Sequence, residues 1–477
     1  MVVLLAVTVV QRSIGFGRGV LFCRWLDAEA LGRWEMAYGF LLLAAPLAVL
    51  GLPGSFGRYL VRFREQGRLR LFLRRTTLWT ALLSAAAVAA LILFRAPMAE
   101  LVFGDPARAG LMTLVALTLA AVIAHHFAEA VLAGMRLFRL VSAMHFFQST
   151  AFALIAVTLL LTWGPRAESI VVAYGLACVA SLLAVGVRAA IEARGEQDTA
   201  EPVAHREFWP PLMRFAIWIW VANLLANLFA VIDRYMILHF GGFDATAALA
   251  QVGNYHAANI VPALMVSIAN LLVGAVTPHL SHAWEQGRRD EVSDQLNLTL
   301  KLTALGMLAG GCAVLVGCPW LFATAFPGKY AEGLAVLPWA VVACVWFGVM
   351  MVAQTYAFCA EKSRRCALPL AAGLLANVLL NLLLLPRLGL LGAVVATALA
   401  TLLALVGQLI VNQRLGMRLH RGTLLLCAAP AALTAGPAAA ALMLCVAMLA
   451  RRVVFSPEEL AKAGTLRLGV FPRAAGA

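Results

Sequence analysis

Charged side chains set inside long apolar runs are where this chain can do chemistry. Arg12 and Arg18 interrupt the first run, and Arg58 closes the second. Asp233-Arg234 sit together in a later run, followed by His256 and Lys301. A charge placed in a membrane-spanning helix costs about 2.5–3.5 kcal/mol on insertion scales, so each should face protein or water. Arginine's planar fork grips two oxygens of an anion and keeps its proton, which suits phosphate. Arg12, Arg18, Arg58, Arg234, His256 and Lys301 are therefore candidate substrate-binding residues lining a cavity. Arg12 and Arg18 are about 9 Å apart along a helix and point from different faces. Arg24 ends the run, where it can snorkel to the interface.

A second group suits gating or ion coupling. His125 and Glu129 are four residues apart, hence on one helix face, with His126 beside them. They suit proton relay or a coupling cation, H+ or Na+, and equally a polar cluster holding helices together. Asp233 aligns with Arg12 in the repeat described below, which suggests an ion-pair gate or a structural pair between them. His145 is a lone polar residue in its run. Asn223 with Asn227, and Asn377 with Asn381, share helix faces and read as interhelical hydrogen-bonding pairs. Trp209, Trp218 and Trp220 read as interface and packing residues. No cofactor is expected, and no metal site. The nine cysteines are scattered without ligand spacing and read as free thiols.

The surrounding chain fits lipid. Its 477 residues are 63% hydrophobic and 13% charged, beyond what one soluble core can hide. The formal charge of +14 falls in short loops between apolar runs, the pattern of a multi-pass membrane protein and not of a nucleic-acid binder. Apolar runs of about 20 residues predict spans at 3–23, 36–60, 77–94, 110–132, 141–163 and 170–190. Six more follow at 212–240, 252–276, 296–318, 334–358, 366–385 and 389–410. Residues 423–450 predict a short hairpin turning at Gly436-Pro437, for fourteen helices in all, with thirteen the alternative. Alternate loops carry most of the arginines, which puts those loops and the N-terminus in the cytoplasm.

An internal repeat runs through this pattern. Gly32 matches Gly253, Trp34 matches Tyr255 and Pro165-Arg166 matches Pro386-Arg387, all at an offset of 221. Glu65-Gln66-Gly67-Arg68 matches Glu285-Gln286-Gly287-Arg288 at 220. The expected fold is an all-α polytopic membrane protein: two six-helix bundles related by this repeat, plus a C-terminal hairpin. The expected divisions are an N-terminal lobe at 1–195, a cytoplasmic linker at 196–211 and a second lobe at 212–413. A hairpin at 421–452 and a cytoplasmic tail at 453–477 complete it, with Ser456 capping a tail helix and Pro457 at its first position.

Several segments resemble one family. Leu31-Gly32-Arg33-Trp34, Gly51-Leu52-Pro53 with Arg58-Tyr59, and Asp233-Arg234-Tyr235-Met236 with Gly253-Asn254-Tyr255 are similar to its second, seventh and eighth helices. Phe326-Pro327-Gly328-Lys329-Tyr330, Asn377 to Asn381, and Leu385-Pro386 with Gly389 to Ala393 resemble its later motifs. The chain resembles the polysaccharide-exporter flippases of the multidrug/oligosaccharidyl-lipid/polysaccharide superfamily up to about residue 410. The resemblance implies alternating access, a polyprenyl-diphosphate-linked oligosaccharide as cargo and the bacterial inner membrane. It also implies membrane lipid as surroundings, a monomer, and polysaccharide polymerase and glycosyltransferases of the same pathway as partners. The start lacks the family's basic lead-in, which leaves the true start open. The alternative within the superfamily is a cation-coupled drug or small-molecule antiporter. A membrane glycosyltransferase or polymerase fits less well, because its catalytic carboxylates need a sizeable outer loop. No nucleotide-binding loop is present in the sequence, so the energy is expected from an ion gradient or from downstream consumption, and no enzymatic activity is expected.

Overall fold

The computed structural model of the chain describes residues 2–194, 203–456 and 459. The linker residues 195–202, Pro457 and the tail from 460 onward lie outside the described residues, as does the side chain of Trp218. Every regular element among the described residues is helical. The chain forms two compact units, Met1–Ala257 with Gly328–Tyr330, and Ala258–Pro327 with Ala331–Ala477.

In the first unit, α1 (Val2–Trp25) leads to α2 (Ala28–Ala48), capped by the Asp27 carboxylate, which accepts from Ala30 N at 2.7 Å. A 3-10 turn, Leu52–Ser55, joins α2 to α3 (Phe56–Glu65). Then come α4 (Leu69–Leu93), α5 (Arg95–Phe103), α6 (Ala109–Gly134), α7 (Phe138–Thr162), α8 (Ala167–Arg194) and α9 (His205–Phe240). Helix α10 (Ala245–Asn259) closes it.

In the second unit, α11 (Pro262–Glu285), α12 (Arg289–Ala325), α13 (Ala331–Cys359), α14 (Ala367–Leu388) and α15 (Leu390–Arg414) are long. Short α16 (Arg421–Ala428) continues into a 3-10 stretch, Ala429–Ala435, which packs against α17 (Pro437–Leu449), with α18 (Arg451–Val454) last.

Nine helices among the described residues are long and apolar enough to cross a membrane, ten if the bent α2–α3 pair counts as one. Their outer faces carry exposed leucines such as Leu161, Leu183 and Leu375, a surface for hydrocarbon.

Three readings of the sequence are corrected. The span at 36–60 is not one helix: α2 and α3 meet at a 63° bend. Leu50 and Gly51 both take positive φ there, 51° and 65°. Upstream, Pro46 has no N–H for the Leu42 carbonyl, and the Asn227 side chain of α9 donates to that oxygen instead at 3.2 Å. The span at 252–276 is split between α10 and α11, with Pro262 starting the second helix. Residues 205–211, read as linker, are the first turns of α9. Phe208 and Leu212 bury themselves there among Phe56, Phe63 and Phe72, and Tyr59 donates to the Pro211 carbonyl at 2.9 Å.

The Lys329-Tyr330 motif has a local role. Lys329 Nζ donates to the carbonyls of Arg24 and Leu26, each at 2.9 Å, and Tyr330 Oη donates to Leu26 O at 3.1 Å. These bonds cap the C-terminal end of α1, which explains why residues 328–330 belong to the first unit.

In the second unit, the buried Lys301 ammonium of α12 donates to both Glu459 oxygens, at 2.9 and 2.7 Å. Glu459 also accepts from Ser456 N and donates its own N–H to Ser456 Oγ, the reciprocal pair of a capping box.

Candidate functional site

The site is built where α2 and α10 touch. A Cβ on Gly32 would collide with the Leu249 carbonyl, and a Cβ on Gly253 with the Ala28 carbonyl. Ala28 and Leu249 are themselves 221 apart, as are Gly32 and Gly253, so the contact repeats the offset found in the sequence. Only residues without a Cβ let the two backbones come this close.

One turn further along, Glu35 of α2 faces His256 of α10, again 221 apart. The Glu35 side chain is buried, 4% exposed, and its Oε1 lies 3.0 Å from His256 Nδ1. Its Oε2 lies 3.0 Å from Arg234 Nη2 of α9. Arg234 also donates from Nη1 to Ala230 O at 2.9 Å. Its Nε is buried with no hydrogen-bond partner among the described residues. The neighbouring Asp233 is buried and accepts from Tyr255 Oη at 2.9 Å. A buried carboxylate is tolerable only when opposite charge and hydrogen bonds surround it, and here α9 and α10 supply both.

The expected cavity arginines separate. Arg18 rests on the Phe152 ring, 4.2 Å from its centroid, a cation–π seat. Phe152 packs against Trp34 and Tyr174, and Tyr38 packs against both of these. Tyr38 follows Glu35 by about one turn of α2. Arg12 is exposed on α1. Arg58 is exposed on α3, its guanidinium 5.2 Å from the Phe215 ring centroid. Lys301, in the second unit, is engaged by Glu459 as described above.

Tyr38 also lines a cavity of about 330 Å³ between α2, α6, α8 and α9. His126, Tyr174, Trp220, Asn223 and Asn227 contribute to its walls. Trp220 Nε1 is a buried donor without a partner among the described residues. Asn223 and Asn227 thus differ in role: both line the cavity, and Asn227 also holds the α2 backbone open at Leu42. Asn377 and Asn381 do bond to one another, Nδ2 to Oδ1 at 3.0 Å, within α14.

His125 and Glu129 do not pair directly. His125 Nδ1 lies 2.8 Å from Ser181 Oγ of α8. Glu129 meets His126 at 3.2 Å and His145 of α7 at 3.0 Å. The sequence reading missed Glu35 altogether and treated His145 as a singleton. Glu35 was findable, because the repeat offset carries it onto His256. His145 was not, because its partner comes from a different helix.

The family model for polysaccharide biosynthesis protein matches residues 1–284. No curated protein matches the sequence significantly. Among solved structures, lipid II flippase MurJ in an inward closed conformation is similar with a TM-score of 0.72 at 11% identity, covering 95% of this chain and 100% of that one. A multidrug resistance MATE family transporter in an inward-facing conformation is similar with a TM-score of 0.68 at 14% identity, covering 85% of this chain and 95% of that one. A multidrug resistance MATE family transporter in an outward-facing conformation gives a TM-score of 0.58 at 14% identity, covering 85% of this chain and 92% of that one. At such identities the likeness shows the fold. The chain belongs to the polysaccharide biosynthesis protein family, a multi-pass membrane transporter family of the multidrug/oligosaccharidyl-lipid/polysaccharide superfamily.

Proposed function

We propose that this transporter flips a polyprenyl-diphosphate-linked oligosaccharide from the cytoplasmic to the outer leaflet of the bacterial inner membrane. It works by alternating access between two lobes, as a monomer, beside the polymerase and glycosyltransferases of a cell-surface polysaccharide pathway. The observation that carries this reading is Arg234. Its guanidinium already holds one carboxylate oxygen of Glu35, and it keeps a buried N–H, on Nε, without a partner among the described residues. That is the hydrogen-bonding shape a diphosphate completes.

The mechanism follows from competition. Diphosphate oxygens take Arg234 from Glu35. Glu35 then keeps only His256, and the ion pair between α2 and α9 is lost. The Glu35–His256 contact and the Gly32–Gly253 seam still join α2 to α10, and separation along that seam opens the outer end. Tyr38 and Tyr174, which line the cavity, offer sugar-stacking faces. The cavity of about 330 Å³ lies within the roughly 300–1,000 Å³ range of ligand pockets. The arginine-rich loop around α3 and α4 faces the cytoplasm in this orientation, with the N-terminus on the same side.

A thermal-shift comparison tests the anion site. Polyprenyl diphosphate should raise the melting temperature of the wild type, polyprenyl alcohol should not, and Arg234→Ala should lose the shift. Equal stabilisation by the alcohol, or an undiminished shift in Arg234→Ala, contradicts the assignment.

A second reading, a proton-coupled antiporter of small cations, draws on the Glu35–His256 contact, since a carboxylate against an imidazole inside a bundle can exchange protons.

A further inference from the structure

His125, Glu129 and His145 on α6 and α7 take no part in the transport reading above, whereas His126 beside them lines its cavity. His125 and Glu129 of α6 and His145 of α7 each offer a ligand atom, and these atoms lie within 4.8 Å of one another. His125 is 4% exposed, and the other two are half-buried.

The hydrogen bonds assign the ring atoms. Ser181 has one hydroxyl hydrogen, and it donates to Cys178 O at 2.8 Å. Toward His125 its oxygen is then an acceptor, so His125 Nδ1, 2.8 Å away, carries the N–H. The lone pair of the neutral ring is left on Nε2. Glu129 is held in a similar way: its Oε2 lies 3.2 Å from His126 Nδ1, while Oε1 faces His145 Nε2 at 3.0 Å. One ligand is thus oriented by Ser181 and another by His126. Such outer partners are what fix the tautomer and direction of metal ligands.

The donor set selects the ion. Sodium, magnesium and calcium are held by oxygens, whereas two imidazoles with one carboxylate suit first-row transition ions. Three protein ligands of this kind leave a fourth position open. Ligand atoms about 2.0–2.1 Å from a tetrahedral zinc lie roughly 3.3 Å apart. The 3.0 Å contact between His145 and Glu129 needs to widen only slightly to admit the ion. His145 Nε2 gives up its proton first, to its own Nδ1 by tautomer exchange or to water.

We propose that His125, Glu129 and His145 form a site for a divalent transition ion, with Zn2+ the best fit, which staples α6 to α7. Ser181 and His126 act as positioning residues. Without an ion the same groups form a hydrogen-bonded brace.

The test uses the full chain, purified in detergent with a tag that contains no histidine. Zn2+ titration by calorimetry should give one ion per chain, and Co2+ should develop visible absorption bands of a site with nitrogen and oxygen ligands. His125→Ala and Glu129→Gln should each abolish the bands. His145→Gln, which can still donate to Glu129, should abolish them while eluting as a monodisperse peak. Ser181→Ala should keep the stoichiometry and weaken affinity about 10–100-fold. The exposed His282 serves as a control, and His282→Ala should bind as the wild type does. Absence of a stoichiometric ion on folded wild type overturns the site. So does binding that survives intact in His125→Ala, Glu129→Gln and His145→Gln, or that is lost in His282→Ala. None of these readouts depends on lipid flipping.

Discussion

Glu35 and His256 stand at equivalent positions of the repeat, 221 residues apart, and their side chains meet at 3.0 Å. Two more equivalent pairs line the same seam, Ala28 with Leu249 and Gly32 with Gly253. The repeat is therefore expressed as a physical contact between α2 and α10. The charged pair sits one turn from the point where the backbones are closest.

Removing Glu35 should be costly. Glu35→Ala leaves Arg234 and His256 without their shared anion, and breaking a buried pair of this kind costs about 3–5 kcal/mol. Arg234→Ala leaves the carboxylate its His256 contact and should cost less. The double variant should be more stable than the sum of the two single losses predicts. A double-mutant cycle on melting temperature checks this. Simple additivity would mean that the two groups are not coupled.

The glycine seam makes a steric prediction. Gly253→Val and Gly32→Val put a side chain into a facing carbonyl and should force α2 and α10 apart, with loss of transport and a lowered melting temperature. Gly57, with open space around it, is the control, and Gly57→Ala should be neutral or mildly stabilising. Transport assays on the three variants decide the matter. Full activity in Gly253→Val would show that the seam carries no function.

The proline break predicts a rescue. Asn227→Leu strands the Leu42 carbonyl and should cost about 1–3 kcal/mol. Pro46→Ala returns an N–H to that carbonyl, so in its background Asn227→Leu should cost close to nothing. Unfolding midpoints of the four proteins measure the coupling. An equal cost in both backgrounds would rule out this role for Asn227.

The tail should be sensitive to acid. Burial pushes the Glu459 carboxyl up, but hydrogen bonds from Lys301 and the Ser456 amide outweigh it and hold the group below its usual range. A depressed folded-state value stabilises docking above the unfolded pKa of about 4.3, and that stabilisation fades as pH falls through the folded value. Cross-linking between cysteines placed on the tail and on α16 should be efficient at pH 7 and decline below about pH 4. Glu459→Gln should impair it at neutral pH. A pH-independent yield in the wild type would detach the tail from this ion pair.

Much of the fold was legible in the sequence, for a simple reason. A run of apolar residues long enough to span leaves the backbone no alternative to a helix, and α6, α7 and α15 follow their runs closely. The breaks were not legible, because hydropathy passes smoothly over Leu50-Gly51 and over Ile260-Val261. The start of α9 was hidden by Pro210-Pro211, which read as a break, although they lie inside the helix and Tyr59 bonds the Pro211 carbonyl. At the site, Arg234 and His256 were visible as isolated charges. Their partner Glu35 was visible only through the repeat offset that carries it onto His256. The arrangement of Glu129 between His126 and His145 depends on how α6 and α7 pack, which no spacing within one helix reveals.

The most direct measurement is translocation in proteoliposomes made with the purified protein. A fluorescent polyprenyl-diphosphate sugar is compared with the same lipid carrying an uncharged head, and with a cationic dye under a proton gradient. The account predicts protein-dependent flipping of the diphosphate lipid alone, lost in Arg234→Ala that still reconstitutes normally. Gradient-driven efflux of the dye with no movement of the diphosphate lipid would contradict it and establish the antiporter.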